Sequence, residues 1–544
     1  MIASWLFRRE LQRFRAACGN PRVAQAAQLR RILAAAASTE LGVRHDFARL
    51  ARIADPLALM RAFQRDVPIR THKEMADDLE AVYTGRWQSV CPSPPLWFAM
   101  TAGSTGRFKY IPVTREYRRE ISRSAMIFNG ALEDCFPEIR RLKTQFLVGS
   151  AEGGRSPGGV PQGFASGFNY KNLPWFVRRR FVMPYWAFTI DDPEERSYAA
   201  GRMLMDERQL GVLTAISPLN LINVRQALDR NVDRLIGDVA AGTLTIRGAA
   251  AVPGAWSGRP DRRRAQALHA AWHATGTLPP EQLFPALRVL VCWRGGNMSY
   301  YLDDLRSAFG IDQTFEFPIS ASEGVFALPV AADRPGGALA VTTHVLEFLP
   351  EEGGAALRAD ELEVGREYRI VVTNGGGLYR YDMEDIVRVT SFFRATPVIE
   401  FVSKKDHQIS VSNERLTELD VTLAMQEATR RCGRRFPEFL FVPCSDRRYR
   451  VVVDAASCGD GAALETVAQA IEQELRVAAK GYDFEREDAL LAPLQLVVAE
   501  RGQLRAWLER RQGQALPNAQ IKPLHLTNEF NAHRAFTAMA TYAA

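Results

Sequence analysis

Apolar residues recur at mixed helical spacings through the first 37 positions, with Leu11, Phe14, Val23, Leu29, Ile32 and Leu33 marking the pattern. That spacing predicts helix, and Gly19-Asn20-Pro21 predicts the break within it. Residues 56–66 and 71–83 predict two short helices, with Glu74 in the first turn of the second, where a carboxylate suits the helix dipole. The period then changes. Trp97–Met100 and Tyr110–Val113 are strand-like runs about a glycine- and hydroxyl-rich turn, so 97–113 predicts a hairpin. Thr114 predicts the N-cap of a helix reaching about residue 132.

Downstream, strand-like runs at 144–148, 211–223 (strand then turn), 287–293 and 313–318 alternate with helical stretches at 224–240, 259–275 and 300–309. A Gly/Pro-rich loop at 151–163 and an aromatic-rich stretch at 164–188 interrupt the alternation. Alternating strands and helices predict an α/β fold. Residues 338–402 read as all-β. Beyond them, helices at 414–431 and 463–480 mix with strands at 439–443, 449–453 and 494–498, which is a small α+β module. The boundary is expected at 403–408, dividing 1–403 from 404–544.

Composition adds limits. With 544 residues the chain can form two or more domains with real cores. No apolar run approaches a membrane span, and no secretory signal is recognised at the N-terminus, so no membrane partner is expected. Seven cysteines without C-x-x-C spacing suit a reducing cytoplasm and argue against disulfides or a thiolate metal site. A formal charge of +7 fits an anionic ligand as well as nucleic acid. Without zinc-finger spacing or an aromatic-basic strand, no nucleic-acid partner is expected.

The hairpin carries the main chemistry. Thr101, Gly103, Ser104, Thr105, Gly106 and Lys109 offer backbone N–H groups, hydroxyls and one ammonium to a single object, which suits a polyphosphate. Read alone, the same residues also make an ordinary surface hairpin. A Walker A loop is excluded, because Lys109 enters a strand containing Pro112 rather than a helix. The aromatic stretch reads as core or lid, with an acyl or aryl pocket as the functional alternative. Ser322 and Glu323 lie in a turn at a strand end, where α/β folds place ligand contacts. Glu323 could hold magnesium, which takes one or two carboxylates from a protein. In the glycine-led turn 374–385, Arg380 could pair with a phosphate and Asp385 could accept ribose hydroxyls. A solvated charged turn remains the alternative there, and a lone surface lysine is the alternative for Lys522. Two other patterns fail. The G-x-S-x-G at 154–158 puts Pro157 where an oxyanion hole needs an N–H, and Ala270 stands where a zincin helix bearing His269 and His273 needs glutamate.

These stretches in order, TAGSTGRFKYIPVT at 101–114, ISASEG at 319–324, YRYDMEDIVRV at 379–389, EFVSKKDHQISVSNERLTELDV at 400–421 and QIKPLHL at 520–526, resemble the acyl-adenylating superfamily. They are most similar to its GH3-type acyl acid–amido synthetases. The resemblance implies a large multi-sheet adenylate-forming N-terminal domain and a small mobile α+β C-terminal domain. It implies ATP and Mg²⁺, a small carboxylic acid activated as acyl-AMP, and an amino acid or other amine as acceptor. A thiol acceptor and a degenerate nucleotide-binding member are the alternatives. The hairpin would hold the ATP phosphates, Ser322 and Glu323 would line the nucleotide site with Glu323 near the metal, and Lys522 would approach the α-phosphate. The hydroxyl loop is shortened and no glycine precedes Asp385, so Asp382 also qualifies as ribose ligand. Asp385 is preferred because it directly precedes the IVRV strand.

Overall fold

Asn20 separates the first two helices, Ile2–Ala17 and Pro21–Ala36; its side chain accepts from Val23 N, and Pro21 occupies the first turn, where its missing N–H costs nothing. Asp55 and Thr114 cap Pro56–Asp66 and Arg115–Cys135 in the same way. Thr71 and Glu74 instead close a turn on each other, and helix begins only at Ala76, five residues later than the pattern predicts. Ser217-Pro218 likewise starts a helix, Pro218–Arg230, ahead of the expected position 224.

This computed structural model describes residues 2–102, 108–248, 256–404, 408–458, 463–515 and 523–544. Two units are distinguished. The first holds residues 1–294 and 301–400, and the second holds 295–300 with most of 401–544.

Among the described residues, the first unit contains three sheets. Trp97–Ala102 pairs antiparallel with Phe108–Val113 and parallel with Gln162–Gly163. Lys143–Phe146, Leu210–Thr214, Val289–Cys292 and Thr314–Glu316 form a parallel sheet in chain order, each strand joined to the next through helix. The third sheet has eight strands drawn from 319–404, antiparallel where its pairings are resolved. One apolar cluster joins them, with Trp97 and Ile111 of the hairpin, Tyr117 of the long helix, Val291 and Phe315 of the parallel sheet, and Leu346 of the large sheet. Burying side chains of this size contributes about 1.5–3 kcal/mol each.

Long-range polar bonds hook the N-terminal helices to this frame. Gln25 Nε2 donates to Val341 O and His344 O, and its Oε1 accepts from Leu346 N. Cys18 O accepts from Ala395 N and from Thr396 Oγ1.

In the second unit, Phe439–Cys444, Arg448–Asp454, Gln495–Ala499 and Ala538–Ala543 form one sheet, packed with helices Glu418–Cys432 and Leu464–Ala478. Thr417 and Asp420 make a reciprocal capping box at the first helix. Tyr300 is buried here, donating to Phe436 O at 2.5 Å beneath the Arg435 guanidinium.

Candidate functional site

The hairpin register sets Thr101 opposite Lys109, both half-buried. Gly103, Ser104, Thr105 and Gly106 lie outside the described residues. So does Lys522, although the chain just beyond it is tied to the small unit's sheet through Phe441 N to His525 O and Thr527 N to Phe441 O.

Where the hairpin ends, Thr114 caps the long helix and also donates through Oγ1 to Gly375 O at 2.6 Å. That bond ties the hairpin to the loop Asn374-Gly375-Gly376-Gly377. The loop needs its glycines for close approach: a Cβ on Gly376 would sit 2.8 Å from Pro112 O, and one on Gly375 would sit 2.8 Å from Glu116 Cβ. Asn374 is fully buried; its Nδ2 donates to Glu323 O at 2.7 Å and its Oδ1 accepts from Gly376 N at 2.7 Å. Tyr117, on the first turn of the long helix, donates to Ser322 O at 2.8 Å. One asparagine and one tyrosine therefore fix the Ser322-Glu323 turn against the hairpin's exit.

Glu120 anchors the other side of the loop. Its buried carboxylate accepts from Gly375 N, Gln28 Nε2 and Arg31, and bonds His344 Nδ1, all at 3.0–3.1 Å. A buried carboxylate with this many partners is compensated rather than costly.

Tyr381 sits where the motifs converge. Burial, followed by the charges of Glu323, Glu384, Asp385 and Asp382, pushes its phenol far up. Burial and then Glu323 and Glu120 do the same to Tyr117. Glu323 and Asp385, 62 positions apart in sequence, therefore act on one phenol. Glu323 and Asp385 are each mostly buried. Asp382 is held by Arg369 Nε at 3.0–3.1 Å and caps Glu384 N, so it serves the sheet.

Arg380 corrects the expectation of a phosphate partner. Its guanidinium donates to both oxygens of Glu347 at 2.9 and 3.0 Å, and to Gln64 O and Val67 O at 2.8 and 2.6 Å. Both side chains of the pair are buried. Arg380 also has a left-handed backbone, φ +49°, uncommon for a residue other than glycine.

His72 enters the site without any pattern announcing it. Arg70 N donates to Arg380 O, and Asp382 N donates to Arg70 O, so the 70–72 segment runs alongside Tyr381. The His72 ring meets Tyr381 edge-on with centroids 6.3 Å apart. Burial and the nearby Lys109 ammonium hold its imidazole down to about 4.

Among the described residues no group of three or more metal-ligating side chains occurs. A site of one or two carboxylates fits an ion completed by water and phosphate oxygens, which is how magnesium is usually held, and does not fit an all-protein metal cage.

Family models for the GH3 family N-terminal, central and C-terminal domains match residues 10–314, 337–404 and 419–531. A jasmonoyl–L-amino acid synthetase of Nicotiana attenuata is 24% identical over 403 residues, covering 68% of each chain. An indole-3-acetic acid-amido synthetase of Arabidopsis thaliana is 24% identical over 449 residues, covering 76% of this chain and 79% of its own. The solved structure of the acyl acid amido synthetase AtGH3.15 in complex with 2,4-DB superposes with a TM-score of 0.83 at 18% identity, covering 98% of this chain and 97% of that one. That likeness gives the fold, a mixed helix-and-sheet architecture shared along nearly the whole length of both chains.

Proposed function

The chain belongs to the GH3 family, and we propose that it is an ATP-dependent, AMP-forming ligase that joins a small carboxylic acid to an amino acid or other amine. The observation that carries this is the convergence of the Lys109 hairpin, the Ser322-Glu323 turn and the Asp385 turn about the Asn374–Gly377 loop and Tyr381.

A carboxylate is a poor electrophile. In the proposed first half-reaction it attacks the α-phosphorus of ATP, giving acyl-AMP and pyrophosphate. The chain's part is positioning and charge stabilisation. Thr101, Lys109 and the hairpin residues 103–106 hold the phosphates, Asp385 accepts from the ribose hydroxyls, and Ser322 and Glu323 line the nucleotide. Glu323 is the residue that would hold magnesium, which when bound supplies charge neutralisation at the phosphates. In the second half-reaction the neutral amine attacks the acyl carbon and AMP leaves. In this reading residues 404–544 are the small domain and Lys522 is its group for the α-phosphate.

Among the described residues no helix is long and apolar enough to cross a membrane. All seven cysteines are free thiols, which supports a reducing, cytoplasmic setting. The jasmonoyl and indole-3-acetic relatives suggest acids of that general kind as first substrates to try.

The test is product analysis with Mg-ATP, a pool of small aromatic and aliphatic acids and a pool of amino acids. Acid-dependent AMP together with a new amide is the expected result. AMP with a thioester on added coenzyme A and no amide would replace the amine by a thiol. ATP binding without AMP across both pools would overturn the ligase reading.

A further inference from the structure

One side chain beside Tyr381 and in the field of Lys109 is left unused by the proposed chemistry. His72 is half-buried, with its ring edge-on to Tyr381 and within electrostatic reach of Lys109. Its Nδ1 is buried and makes no hydrogen bond among the described residues. The backbone on either side is not free to move it: Arg70 is bonded at N and O to residues 380 and 382, and Thr71 is locked to Glu74.

The charged surroundings are defined. On its own segment Arg70 is paired with Asp78 at 2.7 Å, Glu74 is held by Thr71, and Lys73 is exposed. From the hairpin comes Lys109. From the acidic turn, beyond the Tyr381 ring, come Asp382, already paired with Arg369, and Glu384 and Asp385. Desolvation and a neighbouring cation both disfavour imidazolium, so His72 is neutral in the free chain at neutral pH. A polyphosphate against Lys109 cancels the second of these and adds an attraction of the opposite sign.

We propose that His72 is a proton-coupled phosphate contact: it takes a proton from solvent when the phosphates of a nucleotide or pyrophosphate settle against Lys109, and its new N–H then donates a charge-assisted hydrogen bond to them. The only bond formed is N–H, and the proton returns to solvent when the polyanion leaves. By linkage, binding is accompanied by proton uptake and strengthens as pH falls. The proposal rests on the hairpin being the phosphate site.

Isothermal titration of the full chain and of His72→Gln with Mg-ATP and with Mg-pyrophosphate, in pairs of buffers differing in protonation enthalpy, reads the uptake directly. Subtracting the variant removes the ligand's own protonation. The expected result is extra uptake by the unaltered chain, up to about one proton per ligand, and a loss of affinity in the variant that is largest at mildly acidic pH and fades as pH rises. Equal uptake in both chains, or an equal affinity loss at every pH, overturns the proposal and leaves His72 a packing residue. Absence of binding by either ligand to either chain overturns the phosphate-site reading along with it. His72→Asn repeats the comparison should His72→Gln fold poorly.

Discussion

Removing one member of the Arg380–Glu347 pair should be among the costliest single changes in the large unit. Arg380 makes four donations, two to Glu347 and two to the carbonyls of Gln64 and Val67, from a site only 5% exposed, and Glu347 is 1% exposed. Glu347→Gln leaves a buried guanidinium facing a neutral amide, and Arg380→Met leaves a buried carboxylate with the Gln64 amide as a remaining donor and takes the guanidinium from two carbonyls. Breaking one side of a buried pair costs about 3–5 kcal/mol. The double variant removes both charges together, so its cost should fall short of the sum of the singles by at least about 2 kcal/mol. Urea unfolding followed by tryptophan fluorescence measures this, with the transitions of the two units fitted separately. Because Arg380 holds the turn that leads into Asp385, each single variant should also raise the KM for ATP. Single costs below about 1 kcal/mol that simply add would refute the reasoning, since those are the values of a solvated pair.

Asp385→Asn should lower acid-dependent pyrophosphate–ATP exchange by about two orders of magnitude through loss of charge-assisted bonds worth about 1.5–3 kcal/mol each. Asp382→Asn should chiefly lower the melting temperature by breaking the pair with Arg369, and a larger exchange defect there than in Asp385→Asn would move the ribose contact to Asp382. Gly163→Ala should destabilise by about 1–3 kcal/mol, because its Cβ would lie 2.1 Å from Ala151 O; an unshifted melting curve would contradict that packing. Glu316 accepts from Arg294 N, yet burial outweighs this and lifts its carboxyl from 4.5 to about 8. Across that window the folded chain holds a proton on Glu316 that the unfolded chain has lost, so this group's contribution to stability is greatest below about pH 4.5 and falls as pH rises toward 8. Glu316→Gln should flatten that slope in unfolding free energies measured against pH, and parallel slopes would exclude Glu316 as its source.

What the sequence discloses is what local chemistry determines. The Asn20-Pro21, Asp55-Pro56 and Thr114 helix starts were legible because a cap and its first turn lie within four residues. The parallel strands were legible as short apolar runs. The last strand, Ala538–Ala543, was not, because most of its side chains are exposed and leave no alternation to read. In the site, the residues carried by motifs could be named in advance, while those that assemble it could not. Tyr117 acts 205 positions away on Ser322, Asn374 acts 51 away on Glu323, and His72 reaches Tyr381 through a bridge between distant segments. No periodicity encodes such pairs. Arg380 misled for the same reason: a cation in a glycine-led turn reads as exposed until the strand bearing Glu347 is laid beneath it.

The bonds from Cys18 and Gln25 to residues 341–346 and 395–396 also impose an order on synthesis. The helices Ile2–Ala17 and Pro21–Ala36 leave the ribosome well before the groups that complete them, which are among the last of the large unit to be made. At about 5–20 residues per second, roughly 20–75 s separate Cys18 from Thr396. Throughout that interval Leu11, Phe14 and Leu29 lack part of the core they enter. Apolar surface exposed in this way is prone to aggregation, and truncation upstream of residue 396 would remove the groups that Cys18 bonds.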